Sequence, residues 1–255
     1  MQELIRQKLE EIEGEENCRI LLAVESGSRA WGFASPDSDY DVRFIYVRPR
    51  GDYLKLEKVR DVIERPISGR LDINGWDAAK ALRLLHKSNP TVFEWFSSPI
   101  LYRDSPFAGR VRAEMGKYFS RKSGLWHYLH MAQGNYRAYL RGDRVKAKKY
   151  FYVLRPLLAC RWILERGTPP PMAFARLAES QLEEEWKPLV DRLLELKRGA
   201  PEVEKIPRID RLNAYLDREL ARVMEQLERL PKEEPAGWEK LDALFLSALQ
   251  AAPAG

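Results

Sequence analysis

Residues 21–47 constrain this chain more than any other stretch: LLAVESGSRAWGFASPDSDYDVRFIYV. An apolar run, Ile20 to Val24, leads into Gly27-Ser28. A ten-residue spacer follows, and Asp39 and Asp41 then open a second apolar run, Val42 to Val47. Alternate residues of a strand share a face, so Asp39 and Asp41 are expected to project together. Two converging carboxylates beside a glycine turn stabilise a sheet poorly and hold a divalent cation well.

The chain of 255 residues is long enough for a substantial core and for two domains. Hydrophobic residues make up 45% and charged residues 32%, too polar for a membrane protein. No apolar run approaches the ~20 residues of a spanning helix. The opening MQELIRQKLEEIEGEE is acidic and amphipathic, unlike a signal peptide. Cys18 and Cys160 lie far apart without metal-ligand spacing and are read as reduced, buried thiols of a cytoplasmic protein.

The net charge of +5 conceals an asymmetry. Ser120 to Arg166 holds eleven Lys or Arg against two acids, whereas Glu179 to the end holds seventeen acids against twelve bases. Aromatics interleave with the basic segment (Trp126, Tyr128, Tyr136, Tyr139, Tyr150, Phe151, Tyr152), a pattern that points to phosphate or nucleic acid. The alternative is a solvated face balanced by the acidic C-terminal helices.

Periodicity divides the chain. Leu4, Ile5, Leu9 and Ile12 predict a helix ending at Gly14. Strands are expected at Arg19–Glu25, Asp41–Val47, Val59–Glu64 and within GRLDINGWD, which begins at Gly69. Asp77 caps a predicted helix over 78–87, Asn89-Pro90 breaks it, and a short helix follows over 91–96. Beyond about residue 104 only helices are expected, at 105–118, 121–141, 143–166, 181–198, 208–229 and 236–249. The fold class is therefore α+β, a mixed sheet with flanking helices over 1–104 followed by a helical domain over 105–255.

Chemistry concentrates in the first part. Gly27 lets backbone amides approach a phosphate closely, and the Ser28 hydroxyl can donate to one. Asp72 interrupts the apolar Leu71-Asp72-Ile73, where a carboxylate is costly unless paired with Arg43 or Arg70 or bound to metal. Read functionally, it is a third acid of the cluster, a metal ligand or a general base. Three such acids suit phosphoryl chemistry with two Mg²⁺ (or Mn²⁺) ions and a nucleoside triphosphate. Arg43 is expected to neutralise the cluster when metal is absent, and Arg29 either reaches a phosphate or pairs with Glu25 or Asp37.

The pattern GSRAWG…DSDYDVRF…LDINGWD resembles the DNA polymerase beta nucleotidyltransferase superfamily. The wording GSRAWGFASPDSDYDVRFIYV, LDINGWDAAKALRLLHKSNP and KKYFYVLRPLLACRWI is similar to the RlaP (YcgL-like) predicted nucleotidyltransferases associated with RNA repair. That resemblance spans about residues 20–175. It implies transfer of a nucleoside monophosphate from an NTP to a hydroxyl. Asp39 and Asp41 would be metal ligands, Asp72 the third acid, and Gly27 and Ser28 the grip on the triphosphate.

On a helical wheel Arg144, Lys148, Tyr152 and Arg155 share one face of about 80°. Lys148, Lys149, Tyr152 and Arg155 are accordingly expected to contact phosphate or base, with Pro156 kinking the helix towards the cleft. His127 and His130 lack a third ligand and read as packing or surface residues. The basic, aromatic middle favours an RNA end as acceptor. A protein or small-molecule acceptor and a non-catalytic RNA-binding module are the alternatives. The acidic C-terminal helices are candidates for capping the basic body, binding a partner or dimerising.

Overall fold

The computed structural model describes residues 1–199, 205–234 and 236–253, with the side chains of 198 and 199 left aside. The breakers expected at 199–201 and 231–235 therefore fall partly outside the described residues. Among these residues no helix is long and apolar enough to cross a membrane. The chain forms two compact units, 1–30 with 39–118 and 235–255, and 31–38 with 119–234.

The first unit opens with α1 (Gln2–Glu16), which runs through Gly14 and stops at Asn17, whose left-handed backbone (φ 44°) returns its N–H to the Glu13 carbonyl. The strands β1 (Arg19–Glu25), β2 (Tyr40–Val47), β3 (Val62–Glu64), β4 (Leu71–Asp77) and β5 (Leu101–Arg103) follow, with the short helix α2 (Gly27–Ala30) between the first two. Three further helices are α3 (Ala78–His86), α4 (Pro90–Phe96) and α5 (Pro106–Glu114). The five strands make a mixed sheet in the order β3-β4-β2-β1-β5. Among these described strands only β2 and β4 run parallel, with α3 beginning directly after β4.

Ile5, Leu9 and Ile12 of α1 pack with Ile20, Ala23, Val42, Phe44, Leu71 and Ile73 of the sheet. Gly75 sits opposite Phe44 in the parallel pair. A Cβ at Gly75 would lie 2.1 Å from the Phe44 ring, so the glycine provides the space that the aromatic fills. Asp77 caps α3 as expected, accepting from Ala79 N at 2.8 Å and from the Tyr53 hydroxyl at 2.6 Å.

The second unit contains α6 (Arg121–Tyr139), β6 (Arg144–Lys146), α7 (Lys148–Arg166), α8 (Phe174–Gln181), α9 (Lys187–Gly199), β7 (Lys205–Pro207) and α10 (Asp210–Arg229). Its core gathers Leu125, Tyr128, Leu129, Tyr136, Tyr150, Phe151, Leu154, Leu158, Trp186, Tyr215 and Leu216. Phe33 belongs to this core, packed against Phe151 and Phe174, and its carbonyl accepts from the buried Lys197 at 2.6 Å.

Two expectations are corrected here. Strands do occur after residue 104, because β6 and β7 pair antiparallel from Arg144↔Pro207 to Lys146↔Lys205. Arg144 is thus a strand residue, donating to the Lys205 carbonyl at 2.6 Å, and not part of the α7 stripe. The compact units also cut the chain differently from a division at residue 104. The segment 105–118 and the last helix, α11 (Glu239–Leu249), both fall in the first unit. There Trp238 stacks on His86 with ring centroids 3.6 Å apart, and Phe245 meets Tyr53 edge-on at 5.1 Å.

Candidate active site

The first unit draws its sequence motifs together at one place. Parallel pairing sets Asp41 of β2 opposite Asp72 of β4, and Arg43 opposite Asn74. Period-two alternation sends Leu71, Ile73 and Gly75 inward, so Asp72 and Asn74 emerge on the other, half-buried face. Arg43 lies between the acids. Its Nη2 is 3.2 Å from Asp41 Oδ1 and 2.7 Å from Asp72 Oδ2, while its Nη1 donates to the Asp72 and Val42 carbonyls at 3.0 Å. Asn74 Nδ2 donates to the other Asp72 oxygen at 2.6 Å. The pairing of Asp72 with Arg43 and its place beside Asp41 therefore hold together.

Gly27 lies directly against Asp41. Its backbone is left-handed (φ 58°), and a Cβ there would stand 2.0 Å from Asp41 Oδ2. Only glycine meets both conditions. The turn is tied to the strand by Ser26 N–H, which donates to the Asp41 carbonyl at 2.8 Å. Ser28 lies half-buried in α2, one residue on. Arg29 donates from Nε to the Asp39 carbonyl at 3.0 Å, and its guanidinium covers the Tyr40 ring at 3.7 Å. Asp39 itself is exposed and directly precedes β2.

Sequence reasoning missed Glu25. This carboxylate is fully buried at the end of β1, where Oε1 accepts the Asp41 N–H at 2.8 Å and Oε2 accepts the Tyr102 hydroxyl. It fixes the backbone from which Asp41 projects. The available signal was an acid closing an apolar strand immediately before Ser26-Gly27.

Burial is the main reason that Asp41 holds its proton more tightly than an ordinary aspartate. The Arg43 charge opposes this shift, while Asp72 and Asp39 reinforce it. Glu25 is raised chiefly by burial, with the Tyr102 and Asp41 hydrogen bonds working against it. Asp41 thus feels the charges of both Asp39 and Asp72, with Arg43 as the cation between Asp41 and Asp72. Among the described residues no three His, Cys, Asp or Glu side chains stand together as a metal cage. The donors still fit a hard divalent cation. Asp41 and Asp72 are carboxylates on adjacent strands, and the charge crowding felt by Asp41 is what a further cation relieves. Arg43 must give way for both oxygens to ligate.

The other expected contacts belong to the second unit. Lys149 Nζ lies over the rings of Tyr139 (3.6 Å) and Tyr152 (4.5 Å), and Lys148 is half-buried at the start of α7. Arg155 differs from expectation. It is only 2% exposed, with its guanidinium 4.5 Å over the Trp31 ring and Nε donating to the Met172 carbonyl at 3.3 Å. A buried cation held by an aromatic face and a carbonyl is a packing element.

The model of a family described as the RNA repair pathway DNA polymerase beta family matches residues 1–247. The chain is 45% identical over 252 residues to the protein YcgL of Bacillus subtilis (strain 168), covering 98% of this chain and 97% of that one. A nucleotidyltransferase-like protein from Exiguobacterium sibiricum 255-15 is similar at 16% identity and a TM-score of 0.34, covering 88% of this chain and 74% of that one. The sheet motif and the near full-length family match lead to one conclusion: the chain belongs to the RNA repair pathway DNA polymerase beta family and is a nucleotidyltransferase of the polymerase-beta type.

Proposed function

We propose that this enzyme transfers a nucleoside monophosphate from an NTP to the 3′ hydroxyl of an RNA, with divalent metal. The observation that carries the reading is the Asp41–Arg43–Asp72 array lying against a glycine with a left-handed backbone. Asp39, Asp41 and Asp72 are the residues to hold Mg²⁺ or Mn²⁺, as two ions. When bound, the ions neutralise the triphosphate and make the attacking hydroxyl more acidic. Gly27 and Ser28 grip the triphosphate, assisted by Arg29. The acceptor oxygen forms a bond to the α-phosphorus, the bond to the β-phosphate oxygen breaks, and pyrophosphate leaves. Asp72 takes the hydroxyl proton. Glu25 acts at one remove, keeping the Asp41 backbone in place.

Two features support RNA as the acceptor: the excess of nine positive charges over 120–166 and the family's description. Lys148, Lys149 and Tyr152 remain the proposed phosphate or base contacts from α7, and Arg155 supports them from within. The free, buried Cys18 and Cys160 suit a cytoplasmic setting, and burial pushes the Cys18 thiol up to about 12.

The test is transfer from each α-labelled ribonucleoside triphosphate to a pool of small RNAs with Mg²⁺. Label on RNA 3′ ends that vanishes with Asp41→Asn is the expected result. Label on protein alone would move the acceptor to a polypeptide, and no transfer with Mg²⁺ or Mn²⁺ would sink the reading.

A further inference from the structure

The helix α6 has an unusual makeup. Residues 120–141 include Arg121, Lys122, Arg137, Arg141, His127 and His130 and not one Asp or Glu. A solvated helix face ordinarily mixes charges of both signs. The structure also sorts the aromatics of this segment. Tyr128 and Tyr136 are buried in the core of the second unit, whereas Trp126 is 55% exposed. A tryptophan in that position leaves a large apolar ring in water.

Trp126 is not loose. Its ring stacks on His130 one turn later, with centroids 3.8 Å apart and an interplanar angle of 25°. His130 Nδ1 lies 2.8 Å from the Trp126 carbonyl, which fixes the imidazole beneath the indole. At 100° per residue Trp126, His130, Gln133 and Arg137 fall within about 60° of one another, so they form a single outward stripe. Arg137 is exposed about 16 Å along the axis from Trp126. Lys122 lies one turn before Trp126, with Nζ donating to the Leu230 carbonyl at 2.9 Å.

We propose that this face of α6 is a stacking platform for single-stranded RNA. An unpaired base lies on the Trp126–His130 pair, and flanking phosphates are held by Arg137 and Lys122. The chemistry selects the partner: a flat aromatic face accepts any base, and a stripe whose own residues carry cations and no acid, the nearby Glu233 carboxylate being engaged by the Arg121 and Lys122 amides at the helix start, favours a polyanion over a protein surface of mixed charge. Duplex bases are already stacked on one another and offer no face to the indole. The inference rests on the RNA-acceptor reading and gives it an address outside the carboxylate site.

Fluorescence anisotropy with a labelled single-stranded RNA of about a dozen nucleotides, without NTP and with chelator present, separates binding from transfer. Trp126→Ala is expected to weaken binding about tenfold, with Trp126→Phe recovering most of it. Arg137→Gln is expected to lower the slope of log affinity against log salt by about 0.7. The single strand should bind at least about tenfold more tightly than its duplex. Unchanged affinity in Trp126→Ala, with RNA still bound, would overturn the platform and leave the RNA-acceptor reading standing. An unchanged salt slope in Arg137→Gln, or equal binding of the duplex, would overturn it in the same way. No binding of any RNA would overturn the platform together with that reading, while Mg²⁺-dependent transfer to another acceptor would still identify the enzyme.

Discussion

The carboxylates of the sheet and the cations of the second unit are built on opposite principles. Asp41 and Asp72 are fixed by the backbone: strand pairing sets them side by side, Gly27 admits one of them, and Arg43 bridges both. Lys149 and Arg155 are instead positioned by aromatic faces, Tyr139 and Tyr152 for one and Trp31 for the other. Backbone placement tolerates almost no change, because moving one residue by one register step reverses its face. A long cationic side chain on a helix can swing to a new partner. The difference predicts that substitutions divide sharply between the two regions.

The largest expected effect is at Asp41. Asp41→Asn should lower nucleotide transfer by roughly a thousandfold or more, whereas Lys149→Ala should lower it by no more than about tenfold. Steady-state rates with both folds verified by circular dichroism check this. Comparable losses in the two variants would erase the contrast. Gly27→Ala comes next, since it combines a backbone conformation unfavourable to alanine with a clash against Asp41 Oδ2. It should destabilise by about 1 kcal/mol or more and lower transfer by less than Asp41→Asn does, as urea denaturation and the same assay would measure.

Packing provides the intermediate effects. Gly75→Ala drives a methyl into the Phe44 ring and should cost about 1–3 kcal/mol. Arg155→Met should also show chiefly in stability, by about 1–3 kcal/mol, because it breaks a buried hydrogen bond and a ring contact. A loss of transfer in Arg155→Met without loss of stability would restore it as a phosphate contact.

The smallest expected effect is a pH dependence. Glu25 has a raised folded-state proton affinity, so its contribution to stability is greatest below its unfolded value and fades as pH rises through the raised folded value. Wild type measured against Glu25→Gln should therefore lose ground as pH rises from about 4 to about 8. Urea midpoints across that range test the sign, and an opposite trend would mean that Glu25 is stabilised as a carboxylate.

The aspartates were legible because strand alternation has a period of two and the motif stands between two apolar runs. That β2 and β4 are parallel neighbours was not legible, since pairing depends on contacts between distant segments. The strands β6 and β7 were missed for a different reason: Arg-Val-Lys and Lys-Ile-Pro are too short to display a period. Arg155 looked exposed on a helical wheel because a wheel does not reveal that Trp31, far away in sequence, lies against it. The joining of α11 to the first unit depends on a similarly distant pair, His86 and Trp238. Glu25 had only its position to mark it, and a charged residue at a strand end usually faces water.

Arg43 has one more consequence. If the proposed metal binds here, a carboxylate pair already spanned by a guanidinium would exchange one cation for another rather than fill an empty site. The net affinity on that view would be a difference between two favourable states, which would keep it modest. On the proposed metal-dependent reading, a guanidinium displaced in this way would be a mobile positive charge beside the incoming triphosphate. Arg43→Gln should accordingly bind Mn²⁺ more tightly than wild type while transferring nucleotide more slowly.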